Sequence, residues 1–172
     1  MKFTIQQMLQ NVSAAKDKEA LAAILAYVAD SLSTVALNSA GLVIKAGGSA
    51  LVKTGGSDFY ALVRGTLVKI ASATDMAALS GTVTNAKFNV FCYFVDASGT
   101  KTTVMGTEGS TLGALKFPDF PLDKCLIGFT IINPTGTGNF VGGTTAIDDV
   151  TVVPNAVHVS PIGGVDPTVL YS

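Results

Sequence analysis

Four groups of residues in this chain are of types that do chemistry. "IINPTGTGNFVGGTT" at 131–145 sets Gly136, Gly138 and Gly142 in a GxGxxxG spacing, one residue longer than a dinucleotide-binding pattern. A phosphate cradle needs that loop to open a helix whose first amides face the anion. The following "TTAIDDVTVVPN" is β-branched, acidic and closed by proline, and no Gly-Lys-Ser/Thr is present, so the loop reads as a turn between strands. Its small uncharged residues suit close approach to another subunit, with Asn139 and Phe140 expected at its tip. Asp148 and Asp149, with Asn139 nearby, supply oxygens of the kind calcium takes. Turn chemistry accounts for the two aspartates equally well, and on a strand the pair points to opposite faces, unlike a glycosidase pair.

His158 is the single histidine, so any Ser-His-Asp set must use it. Ser160 is too close in sequence to reach its ring in the usual geometry, and there is no GxSxG elbow. His158 therefore reads as a satisfied strand residue. Cys92, inside "FNVFCYFV", and Cys125 read as buried thiols; with one histidine they do not complete a zinc site without carboxylates. These groups yield no catalytic set, no metal and no cofactor, so the expectation is a protein that is not an enzyme.

The elements that would position these residues divide the chain in two. Ile5, Met8, Leu9 and Val12 follow helical spacing, and so do Leu21, Ile24, Leu25, Val28, Leu32 and Val35. Nine residues separate Val12 from Leu21, and at ~100° per residue the two stripes fall on opposite faces, so "SAAKDKE" marks a break. Asp17 is placed to cap the second helix. From Gly41 the helical period disappears. "GLVIKAGGSALVKTGG" reads as two short strands, and "DFYALVRGTLVKIA" as a strand pair or one strand bent at Gly65. "AKFNVFCYFVDASGTKTTVMG" is a hairpin whose first strand is apolar on both faces. "CLIGFTII" is a further buried strand, "DDVTVVP" and "NAVHVSP" are short ones, and "IGGVDPTVLYS" is an extended arm. The expected fold is mainly β, a sandwich or barrel with jelly-roll-like forms included, carrying an N-terminal helical appendage. The expected division is 1–40 as a helical anchor or oligomerisation segment and 41–172 as the β-domain.

Composition narrows the function. Charged residues make up 13% of the 172, against about a quarter in an average domain, and net charge is −1 without a Lys/Arg cluster. Phosphate neutralisation, and with it nucleic acid, is a poor fit. Hydrophobic residues reach 48%, yet "ALAAILAYVA" falls short of the ~20 residues of a membrane span and has Asp17, Glu19 and Asp30 around it. "MKFTIQQMLQ" places glutamines where a signal peptide needs an apolar run, so synthesis in the cytoplasm without an export signal is expected. A chain this apolar and this weakly charged has surface to hide, and subunit interfaces are where such surface goes.

The phrases "LVIKAGGSALVKTGGSDFYALVRGTLVKIA", "MAALSGTV", "KFNVFCYFVDASGTKTTVMGTEGSTLGALKFPDFP", "GFTIINPTGTGNFVGGTTAIDD" and "VVPNAVHV" resemble virion structural proteins of tailed bacteriophages, of the capsid decoration, cement or head-fibre kind. The resemblance spans residues 41–160, and "NPTGTGNFVGG" is its most specific part. It implies a β-domain that assembles, often as a homotrimer, on the capsid exterior against the major capsid protein. The alternative is a fibre or adhesin β-module that binds a host-surface glycan or receptor, using Phe59 and Tyr60 as rings in the absence of Trp. Candidate interface residues are Ile5, Met8, Leu9, Leu21, Ile24, Leu25, Val28, Leu32, Asn139 and Phe140.

Overall fold

The structure, a computed structural model, describes residues 15–133 and 137–163. The chain separates into two compact units, Met1–Ser33 and Thr34–Ser172. In the first, helix α1 runs Ala15–Ser33 through an Ala- and Leu-rich segment of high helix propensity. Asp17 lies inside the first turn, not before it, where its charge still meets the positive end of the helix. The first predicted stripe, Ile5, Met8, Leu9 and Val12, lies outside the described residues. Val35, expected to extend the second stripe, leaves the helix. It sits on strand β1 (Val35–Ala36), paired with Leu62, because β-branched Thr34 and Val35 follow Ser33 and find a ladder to join.

Among its described residues, the regular structure of the second unit is all β apart from a short 3-10 turn at Leu112–Ala114. Its strands continue as β2 (Val43–Ile44), β3 (Val52–Lys53), β4 (Phe59–Val63), β5 (Thr66–Ile70), β6 (Thr82–Val83), β7 (Asn89–Asp96), β8 (Lys101–Met105), β9 (Lys124–Ile132), β10 (Phe140–Val141) and β11 (Val157–Val159). Among the described residues they form antiparallel sheets ordered β1-β4-β5, β2-β3, β10-β6 and β11-β9-β7-β8. The protein is thus mainly β with an N-terminal helix. The two larger sheets share one core in a sandwich-like way, and no described sheet closes into a barrel.

Each hairpin has a local cause. The β4–β5 connection is the two-residue turn Arg64-Gly65, both at positive φ (49° and 79°), the conformation that matches strand twist. Between β7 and β8 the Asp96 carboxylate accepts from the amides of Ser98 and Thr100, and Gly99 takes φ +84°. "DDVTVVP" is not a strand. Asp149 folds it into turns by accepting from the Thr151 amide and hydroxyl, a local bond that outcompetes any ladder.

The core lies between the sheets. Phe59, Ala61, Val63, Val68 and Ile70 come from one; Phe91, Tyr93, Val95, Cys125, Ile127 and Ile132 come from the other. A register shift opposite Tyr93/Phe94 leaves Ile127 as the extra residue on β9 and switches the facing parity, so that Cys125 and Ile127 before the shift and Ile132 after it all reach the core. Phe140 is fully buried, its ring edge-on to Phe91 at 5.9 Å. Removing that ring leaves a cavity, so Phe140→Ala should cost about 3–5 kcal/mol in urea unfolding. Asn139→Ala beside it, which loses one hydrogen bond at the surface, should cost about 0.5–1.5 kcal/mol. Equal small losses would contradict the core position of Phe140.

Candidate assembly surface

The residues singled out for chemistry are occupied with holding the fold. The glycine-rich stretch itself carries β10 and then turns, and among the described residues no helix follows it. Gly142 lies against the backbone of Leu79 and Ser80, where a Cβ would come within 2.9 Å, and its amide bonds the Gly81 carbonyl. Gly143 takes φ +74°. Gly142 and Gly143 thus serve close backbone contact, the role in which a missing Cβ helps, whereas Gly138 faces open space and Gly136 lies outside the described residues. Asn139 is exposed, but its side-chain oxygen accepts from the Asn85 amide at 2.8 Å. Phe140 is corrected from loop tip to core: it pairs with Val83 and presents nothing to solvent.

The aspartates look to different partners. Both Asp148 oxygens accept from the Gly48 amide, at 3.1 and 2.9 Å, pinning the β2–β3 turn. Asp149 is held by Thr151, whose hydroxyl first, and amide second, keep its carboxyl below the usual range. Among the described residues no group of three or more His, Cys, Asp or Glu side chains is placed to hold a metal. The Ser160 hydroxyl accepts from the Leu42 amide at 3.0 Å, while the His158 ring bonds Thr130 instead. Cys92 and Cys125 are both buried, on opposite faces of the same sheet, which turns their sulfurs apart. Burial alone pushes the Cys125 thiol up to about 11. Of the two rings considered for a glycan, Phe59 is fully buried, and Lys69 Nζ lies 5.9 Å from the centroid of the half-buried Tyr60.

Apolar side chains exposed at the surface include two groups. On α1, Leu21 and Leu25 are half-buried, while Ile24 and Val28 are 59% and 44% exposed. Leu32 lies on the same helix, and Ile5, Met8 and Leu9 fall outside the described residues. No helix among the described residues is long and apolar enough to cross a membrane. A second surface was not foreseen. The outer face of β7 (Val90, Cys92, Phe94) is covered by Leu115, Phe117 and Phe120 from the strap 107–121. The strap is tied down by paired backbone bonds between Thr107 and Lys116 and between Phe88 and Gly109. Edge-to-face rings link it to the sheet, Phe94 to Phe120 at 5.2 Å and Phe117 to Phe129 at 5.0 Å.

That cover is partial. Phe117, Phe120, Phe129 and Ile131 stay half-buried, and cross-strand pairing continues the face onto Val157, 49% exposed opposite Ile131. Leu122, just past the strap, is 75% exposed. Lys116, Asp119 and Asp123 are the exposed charges of this segment, an apolar centre with a polar border. The signal was present in "LKFPDFPLD", where apolar residues crowd between prolines, but no period of two or 3.6 marks it.

No family model, curated protein or solved structure matches this chain. The buried thiols give a direct check on the site geometry. At pH 8 a thiol near pKa 11 is only ~0.1% thiolate. With Cys125 so little ionised and Cys92 fully buried, an aromatic disulfide reagent should titrate neither cysteine within minutes in the native protein, and both after unfolding in urea. Rapid native reaction would show that the sheet does not shield them.

Proposed function

We propose that this chain is a non-enzymatic structural protein of a bacteriophage virion, which decorates and stabilises the capsid exterior as a homo-oligomer, a trimer in the leading form. The observation that carries the reading is the pair of exposed apolar surfaces, on α1 and on the outer face of the four-stranded sheet, in a chain with only 13% charged residues. Isolated exposed apolar side chains are ordinary, but contiguous ones bordered by charge are characteristic of surfaces that associate.

Two surfaces suit two kinds of contact. The helix stripe serves association with identical copies, where matching apolar seams pack without specific charge pairs. The broad sheet face serves a larger partner such as the major capsid protein. Each contact is modest, and joining subunits makes docking effectively intramolecular after the first engagement, so occupancy rises steeply without any strong single site. The phrase-level resemblance to phage decoration proteins supports the same reading. The occupation of Asp148, Asp149, Asn139, Ser160 and the Cys125 thiol by structural roles is in keeping with a protein that does no chemistry.

Light scattering at micromolar concentration should find an oligomer, and the double variant Ile24→Glu/Val28→Glu should lower its mass to that of one chain. Because both side chains are exposed, the variant should keep the native stability within about 0.5 kcal/mol. A monomeric native protein, or an unchanged oligomer in the variant, would count against α1 as the association element.

A further inference from the structure

Strand β11 is the edge of its sheet and only three residues long, yet it carries one end of a polar chain through the core. The Tyr93 hydroxyl and Thr130 Oγ1 are 3.0 Å apart, and Thr130 Oγ1 and His158 Nδ1 are 2.8 Å apart. Tyr93 and Thr130 are buried, and so is His158 Nε2, which has no hydrogen-bond partner. Either neutral tautomer leaves Nε2 unmatched: as N–H it lacks an acceptor, and as a lone pair it lacks a donor. A protonated ring is worse placed, since both nitrogens then donate and the buried one carries charge with nothing to receive it.

Among the described residues no counter-charge offsets this. The flanking segments 34–42 and 160–163 carry no ionisable side chain. On β9 the titratable residues are Lys124 and Cys125, at the end remote from Thr130; on β7, Tyr93 is reached through Thr130, Cys92 faces the other side, and Asp96 pairs with Lys124. Burial is accordingly the cause that lowers the His158 pKa from its ordinary value.

The strand is held by few bonds beyond its ladder to Phe129–Ile131. The Leu42 amide donates to Ser160 Oγ (3.0 Å), the Ser39 hydroxyl donates to the Ser160 carbonyl (3.3 Å), and the Gly163 amide donates to the Ala36 carbonyl (2.9 Å). Gly128 permits this closeness, since a Cβ there would lie 2.4 Å from the Val159 carbonyl oxygen and 2.7 Å from Leu42. Residues 157–163 thus clasp the four-stranded sheet to the segment that begins with β1.

We propose that His158 makes this clasp acid-sensitive: uptake of one proton from solvent by the imidazole releases β11 and residues 160–163, while β4–β5 and β7–β8–β9 stay folded. The sign follows from linkage. With the closed-state pKa depressed, the open state binds the proton better. Closure is fully favourable above the ordinary histidine value of about 6.5 and weakens as pH falls through it, until the closed-state pKa is passed.

Hydrogen exchange followed by mass spectrometry on the full chain, corrected for intrinsic rates, tests this at about pH 7.5 and pH 5. Protection of residues 157–163 should drop by about tenfold for one unit of pKa depression, up to a ceiling of about thirtyfold at pH 5, while β7 and β9 keep theirs. His158→Asn retains a group that can bond Thr130 but does not titrate, and it should abolish the pH dependence. Unchanged protection in the native chain, or an equal loss in His158→Asn, would overturn the proposal. Should that variant not fold, the native protein still decides: its single histidine gives one imidazole signal, and a midpoint at or above about 6.5 by NMR would also overturn it.

Discussion

Strand β7 is apolar on both faces and sits inside its sheet, and that constraint shapes most of the molecule. Seven of its eight residues, Asn89–Val95, are buried. Phe91, Tyr93 and Val95 need a cover on one side, Val90, Cys92 and Phe94 on the other. The first side is met fully, by the β1-β4-β5 sheet, by Phe140 of β10 and by side chains from connecting segments such as Met76, Leu79 and Ile147. Among the described residues the second side is met by the strap, and a strap of three apolar anchors is narrower than the face it covers. Half-exposed rings at Phe117, Phe120 and Phe129 are the remainder. A surface that is energetically unfinished in one chain is the natural place for another chain to complete it.

The sequence disclosed elements that rest on local chemistry and hid those that rest on long-range contact. The pairs 43–53, 59–70 and 89–105 were readable because each joins β-branched or aromatic runs through Gly- or Asp-bearing turns. Gly65 resolved as a turn and not a bend, since Arg64 shares its positive φ. Val35 continued a helical spacing, but its ladder partner Leu62 lies far along the chain. Phe140, flanked by glycines, looked like a loop tip, although Val83 and Phe91 take it into the core. Within the candidate surface, Ile24 and Val28 were legible from periodicity. The outer sheet face was not, because Phe94, Phe117, Phe129 and Val157 become neighbours only through register.

The polar chain Tyr93–Thr130–His158 shows the same division of labour at smaller scale. Its members lie on three different strands, so no local motif announces them. The chain brings hydroxyls and an imidazole into a largely apolar core and leaves one ring nitrogen unmatched at the sheet edge. An unmatched group at an edge strand is a weak point where opening is easiest. Placed beside Val157, the clasp adjoins the apolar outer face, so the proposed surface and the proposed acid response share one strand.

The central claim is that this chain serves a virion by covering its shell. Electron microscopy of intact virus particles purified from the cells that produce this chain, with antibody labelling, is the most direct test of that proposal. The account predicts label and oligomeric density on the capsid exterior, at junctions between capsomers. Label confined to the tail or fibres, or absent from purified particles, would contradict it.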